Sequence, residues 1–181
     1  GASAVLGWLA VEMVRERKGT SFGAASGAIA GLVAITPSCA TVSPLGAIVV
    51  GLVAGSVCAW AVGLKYRFGY DDSLDVVGVH GVGGIVGTLL IGVLATGANA
   101  EALGGTAGLF YGGGLEQLGR QGVAVVAVLA YSFVVTYLLG LLIDRVVGWR
   151  VTDEDEVTGI DQVEHLESAY DTHSSSGGLL G

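Results

Sequence analysis

The chain has 181 residues, of which 52% are hydrophobic and only 13% charged, where an ordinary soluble domain carries about 25% charged residues. Its net charge of −8 comes from one end: residues 1–150 balance eight Lys/Arg against eight Asp/Glu, and residues 151–181 hold eight acids and no Lys or Arg. This excludes a clustered basic face and with it a nucleic-acid partner.

The 32 glycines sit inside apolar runs, which suits membrane helices whose backbones approach closely. Gly1 to Val14 opens the chain already apolar. At 1.5 Å per residue it would reach only ~21 Å, short of the ~30 Å hydrocarbon core. It is read as the cut end of a longer helix, with its charges after the apolar stretch and not before it as in a signal peptide. Four longer spans are then predicted: Phe22–Ala40, Leu45–Leu64, Val76 to about Ala98, and Gly122–Ile143. None contains Asp, Glu, Lys or Arg, which is rare for a buried helix of a soluble protein. The fold class expected is therefore an all-α integral membrane bundle, residues 1–150, followed by an acidic tail, residues 151–181.

Residues 99–121 are glycine-rich and aperiodic, and are predicted to form an outer loop with a short half-helix. The tail has no apolar span, and its last ten residues are expected to be disordered. Three glycine sets, Gly23/Gly27/Gly31, Gly51/Gly55 and Gly83/Gly87, recur every four residues. Each set shares a helix face and predicts a close crossing.

Arg15, Arg17, Lys18, Lys65, Arg67, Arg145 and Arg150 fall on one side of these spans, with only Arg120 opposite. The positive-inside rule makes the basic side and the C-terminal tail cytoplasmic. Trp60, Tyr66, Phe68, Tyr70 and Trp149 lie near the same face, where aromatic residues favour the headgroup layer.

His80 is the one ionisable residue inside the four spans that could act near neutral pH. Intramembrane ionisable groups usually face a bundle interior or a pathway. Val76, His80, Gly83, Gly84 and Gly87 fall on one helical face at i, i+4, i+7, i+8 and i+11, and are read as the wall of a narrow cavity. A neutral imidazole offers one donor and one acceptor, suited to passing a small neutral molecule; a histidine bonded to a neighbouring helix is the structural alternative. Asp75 is expected to cap the following helix by accepting from Val77 or Gly78, the alternative being cation attraction at a cytoplasmic mouth. Thr36-Pro37-Ser38-Cys39 marks either a helix stop or an unwound edge lining a pore. Cys39 and Cys58 form neither a disulfide framework nor a zinc site; both are read as packing residues, and no cofactor is expected. Glu164, His165 and Glu167 could hold a metal weakly, but a solvated acidic segment is the expectation.

At these residues the sequence resembles the ammonium transporter family (Amt/Mep/Rh). SGAIAGLVAITPSCA at 26–40 resembles the family's eighth helix. DVVGVHGVGGIVGTLLIGV at 75–93 resembles its tenth, with the signature histidine at His80. GIDQVEHLESAYD at 159–171 resembles the cytoplasmic C-terminal pattern. The resemblance implies about helices 7–11 of an eleven-helix transmembrane bundle in the cell membrane. It implies transport of ammonium, deprotonated on entry and conducted as ammonia. His80 would be the second of two pore histidines, with Val76 and Ile29 lining the channel on the cytoplasmic side and Thr36 near the pore edge. Asp75 would be a structural acid. Gly159, Asp161, His165 and Tyr170 would belong to a regulatory tail beneath the channel. It also implies a homotrimer and, in many members, a PII-type signalling partner. The first pore histidine, the outer recruitment site and the phenylalanine gates belong to the missing N-terminal half. Gly83 stands where relatives often have cysteine. Rival readings are an ammonium-sensing membrane domain, a non-conducting half-subunit and an enzyme; the last is disfavoured because no nucleophile, carboxylate pair or metal cluster accompanies His80.

Overall fold

The computed structural model describes residues 1–166 and, within them, is helical throughout. The helices are α1 Ala2–Arg15, α2 Ser21–Ile35, α3 Pro44–Ala61, α4 Leu64–Phe68, α5 Val82–Leu94, α6 Gly97–Ala102, α7 Glu116–Val146, α8 Asp153–Thr158 and α9 Ile160–Glu164. A π-turn, Val76–Gly81, runs directly into α5. A 3₁₀ turn, Leu109–Tyr111, lies in the glycine-rich loop. Three helical stretches are long and apolar enough to cross a membrane: Pro44–Phe68, Val76–Leu94 and Glu116–Val146.

The described chain divides into two compact units, residues 1–130 and residues 131 onward. In the first, α1, α2 and α3 pack on one another, and α5 lies against α2 and α3. The glycine sets make these crossings. A Cβ on Gly55 would overlap the Ala4 carbonyl, one on Gly27 would sit 2.8 Å from Trp8 Cβ, and one on Gly87 would overlap the Ala34 carbonyl. The core between them is small-residue and aliphatic, with Ala30, Ala34, Val50, Ala54 and Cys58 fully buried. With lipid on the outside, apolar burial does not drive helices together; close van der Waals packing does.

Local chemistry sets the ends. Thr20 and Ser43 cap α2 and α3 by accepting from Gly23 N–H and Gly46 N–H, as hydroxyls at N-caps do. Glu12 ties the turn between α1 and α2, accepting from Trp8 Nε1 at 3.1 Å and Thr20 N–H at 2.8 Å. The second span is shorter than predicted: α2 stops at Ile35 and not at Ala40. Pro37 lacks the N–H that an α-ladder needs. The chain continues as tight turns, with Ser38 and Cys39 N–H both donating to the Ile35 carbonyl. It then meets the end of α5 through a Val42–Ala95 bridge. The N–H groups of Thr36, Ser38, Cys39, Thr41 and Val42 thus find backbone partners without a continuous helix, as a lipid surrounding would require.

The long helix α7 is nearly bare. Most of its large apolar side chains, from Val123 to Val146, are exposed, and such a surface takes lipid or further protein as its neighbour.

The described part of the second unit holds the end of α7, then α8 and α9. Trp149 folds back so that its ring lies against Gly140, and the rings of Phe133 and Tyr137 stack at 6.1 Å. Of the tail, residues 151–166 are described, and they hold the short helices α8 and α9. Its short α8 is capped by Thr152, which accepts from Asp155 N–H at 3.2 Å. Tyr170 and the last ten residues lie outside the described residues.

Candidate functional site

His80 is carried by the π-turn. Here Val82 N–H donates to the Val77 carbonyl, five residues back, so the turn accommodates one residue more than an α-turn would. Such turns are rare and cluster at functional sites. The turn is wedged against the end of α3: Gly78 is packed on Val62, leaving no room for a Cβ, and the Cys58 thiol donates to the Val79 carbonyl at 3.8 Å.

The Asp75 expectation is corrected here. Asp75 sits at the residue before the turn, but its side chain caps nothing. Its backbone is left-handed, with φ +56°, which aims the carboxylate away from the turn's N–H groups. Asp72 caps instead, accepting from Val76 N–H at 2.7 Å and Val77 N–H at 2.9 Å. The Asp75 carboxylate accepts from Lys65 Nζ at 2.7 Å, and the two side chains are only 15% and 19% exposed. The same ammonium donates to the Asp72 carbonyl at 2.9 Å.

His80 stands between two cavities. One, of about 180 Å³, is lined by Phe22, Ala25, Ser26, Ile29, Asp75 and His80 among others. The next, of about 380 Å³, runs from His80 along Gly84 and Thr88 to Pro37, with Ala124, Val125, Val128 and Leu129 opposite. Pro37 and Thr88 also border a third, of about 320 Å³, which reaches Ile91, Ala95, Gln117 and Gln121. The three follow one another along the stripe His80, Gly84, Thr88, Ile91 and Ala95. None of the side-chain hydrogen bonds among the described residues uses the His80 imidazole, whereas Thr36, Thr41, Ser38 and Thr96 nearby are all engaged.

The predicted residues separate into groups. Ile29 and His80 share the inner cavity. Val76 is half-exposed at the start of the turn. Thr36 turns back to donate to the Leu32 carbonyl at 2.6 Å, and its neighbour Pro37 borders the cavities instead. The expected common face of His80, Gly83, Gly84 and Gly87 is split. A Cβ on Gly84 would meet nothing within 4 Å, whereas Gly83 and Gly87 are pressed on α2. Gly159, Asp161 and His165 lie in the second unit around α9. Sequence reasoning missed Asp72, Thr88, Gln117 and Gln121. Thr88 was findable, lying eight residues beyond His80 on the same stripe; Gln117 and Gln121 come from a distant helix and gave no local signal. Among the described residues no cluster of three metal-ligating side chains occurs.

Comparison with known proteins adds the family. The model of the Ammonium Transporter Family matches residues 1–170. An ammonium transporter of Mycobacterium tuberculosis is 56% identical over 183 residues, covering 99% of this chain and 38% of that protein. One from Bacillus subtilis is 42% identical, covering 93% and 41%. The crystal structure of Candida albicans Mep2 superposes with a TM-score of 0.76 at 34% identity, covering 91% of this chain and 37% of that one. A sensor Amt protein superposes with a TM-score of 0.76 at 31% identity. The chain thus spans about two fifths of the length of the relatives it matches.

Proposed function

Because the chain belongs to the ammonium transporter family, we propose that the protein of which it forms part conducts ammonia derived from ammonium across the cell membrane, with His80 lining the path. A naked cation is costly in an apolar channel, so ammonium would leave its proton at the outer mouth and pass as ammonia. The observation that carries this reading is the placement of His80 between two cavities in series, walled largely by aliphatic carbon. An imidazole with no competing hydrogen-bond partner among the described residues keeps a donor and an acceptor free for ammonia. Ile29 and Val76 would form the cytoplasmic side of the path, with Thr36 at its outer edge beside Pro37. The missing segment would close the path and supply the first histidine. A homotrimer, a PII-type partner and gating by Gly159, Asp161, His165 and Tyr170 of the tail are part of the same proposal.

The test is ammonium-driven pH change in proteoliposomes holding the full-length protein. A change well above that of protein-free vesicles is expected; flux no greater than in empty vesicles would defeat the proposal. A sensing role is the second reading, favoured by the likeness to a sensor Amt protein. It predicts ammonium binding with no flux in the same assay.

The orientation carries its own prediction. In sealed vesicles a protease confined to the cytoplasmic face is expected to remove the segment after Arg150, and cleavage only from the outer face would invert the topology.

A further inference from the structure

We propose that Lys65 is a positioning residue for His80, acting through a clasp with Asp75 and Asp72 that holds the π-turn in register. The proposal rests on the transport reading above for its functional consequence, but not for its structural one.

Three observations carry it. The first is that the π-turn contains an extra residue, and such turns are rare beside the α-helix it leads into. It persists only where its surroundings hold it. The second is the strained backbone of Asp75, at φ +56°, a conformation that a non-glycine residue adopts when neighbouring contacts impose it. The third is the ammonium of Lys65, which joins both ends of this arrangement. It bonds the Asp75 carboxylate at 2.7 Å and the Asp72 carbonyl at 2.9 Å, while the Asp72 carboxylate caps Val76 and Val77. The base of the clasp is α4, a different element from the turn it grips.

The geometry follows from helix arithmetic. If the clasp opens, the turn can shed its extra residue and become α-helical. One residue of an α-helix corresponds to a rotation of roughly 100°. Gly78 and Val79 are locked against Val62 and Cys58, so the adjustment would fall on the residues before them or on His80 and Gly81 after them. An adjustment after them takes the imidazole from the junction of the two cavities, and one before them takes Asp75 from beside His80 in the wall of the inner cavity.

The experiment uses the full-length protein with Lys65→Met, Lys65→Arg and Asp75→Gly. Glycine accepts a positive φ at no steric cost, so Asp75→Gly removes the ion pair without forcing the backbone to change. Two quantities are read: ammonium flux in proteoliposomes, and the rate at which diethyl pyrocarbonate modifies His80, followed by mass spectrometry of the His80 peptide. Lys65→Met and Asp75→Gly are each expected to lower flux about tenfold or more, since a misplacement of ~1 Å can cost a hundredfold. Both should change the modification rate of His80 in the same direction. Lys65→Arg should restore both readouts towards the parent, and the double variant should be no worse than either single one, as coupled residues behave. His80 modification within twofold of the parent in both charge-removing variants would overturn the proposal, whatever the flux. A parent protein without flux would sink the transport reading alone, because His80 reactivity still reports on the clasp.

Discussion

Gly84→Leu in the full-length protein is expected to cut ammonium flux at least tenfold while leaving assembly and thermal stability close to the parent, and Gly87→Leu is expected to abolish folding. The two glycines stand three residues apart on α5 and look equivalent in the sequence. Their surroundings differ. At Gly84 an added Cβ meets nothing within 4 Å, and the position faces the cavity beyond His80. A leucine there fills the path. A steric barrier of only ~1.4 kcal/mol lowers a rate tenfold. At Gly87 the added Cβ falls on the Ala34 carbonyl, which is backbone and cannot rotate away. Ordinary overpacking costs about 1–3 kcal/mol, and a collision with backbone at a helix crossing exceeds that range, against a total stability of about 5–15 kcal/mol. Flux measurement paired with size-exclusion chromatography and thermal melting separates the two. A Gly84→Leu variant that conducts like the parent would show that this cavity is not on the path.

His80→Ala in the full-length protein should change ammonium conduction or its discrimination against other cations, with folding and oligomeric assembly intact. Alanine is the best helix former, and the imidazole has no hydrogen-bond partner to strand among the described residues, so folding should survive. What is lost is one donor and one acceptor facing the path. A hydrogen bond to a small neutral molecule contributes about 0.5–1.5 kcal/mol, which corresponds to a change of roughly twofold to thirteenfold in flux. The enlarged gap between the two cavities would also admit water, and with it cations that the apolar path excludes. Flux and selectivity measured side by side decide the matter. If neither changes, His80 is structural and the pathway reading fails at its centre.

Several features were legible before any coordinates. The charge-free runs fixed the membrane class, because no soluble core hides so many uninterrupted apolar residues. Pro37 announces an end to the second helix, although the apolar composition runs past the break to Ala40 and the helix itself stops at Ile35. The four-residue glycine spacing predicted close crossings, and Gly27, Gly55 and Gly87 make them. His80 stood out as an ionisable side chain in a segment where such groups are costly.

Other features depended on contacts that no local rule contains. The capping rule, applied by position, selected Asp75; the left-handed backbone of Asp75 and the reach of Lys65 from α4 gave the cap to Asp72 and the ion pair to Asp75. A regular 3.6-residue period placed Gly83, Gly84 and Gly87 on one face with His80. The π-turn and the approach of α2 sent Gly84 to the cavity, and Gly83 and Gly87 to the interface. Thr36 and Pro37 are adjacent in sequence, yet only Pro37 borders the cavities, because the Thr36 hydroxyl is drawn back to the Leu32 carbonyl. Composition and periodicity therefore determined the membrane class of this chain and singled out His80 as the candidate residue, since those depend on solvation and on local spacing. The register of the turn, the choice of cap and the lining of the cavities were decided by tertiary structure, since each depends on which distant backbone or side chain arrives at the same point in space.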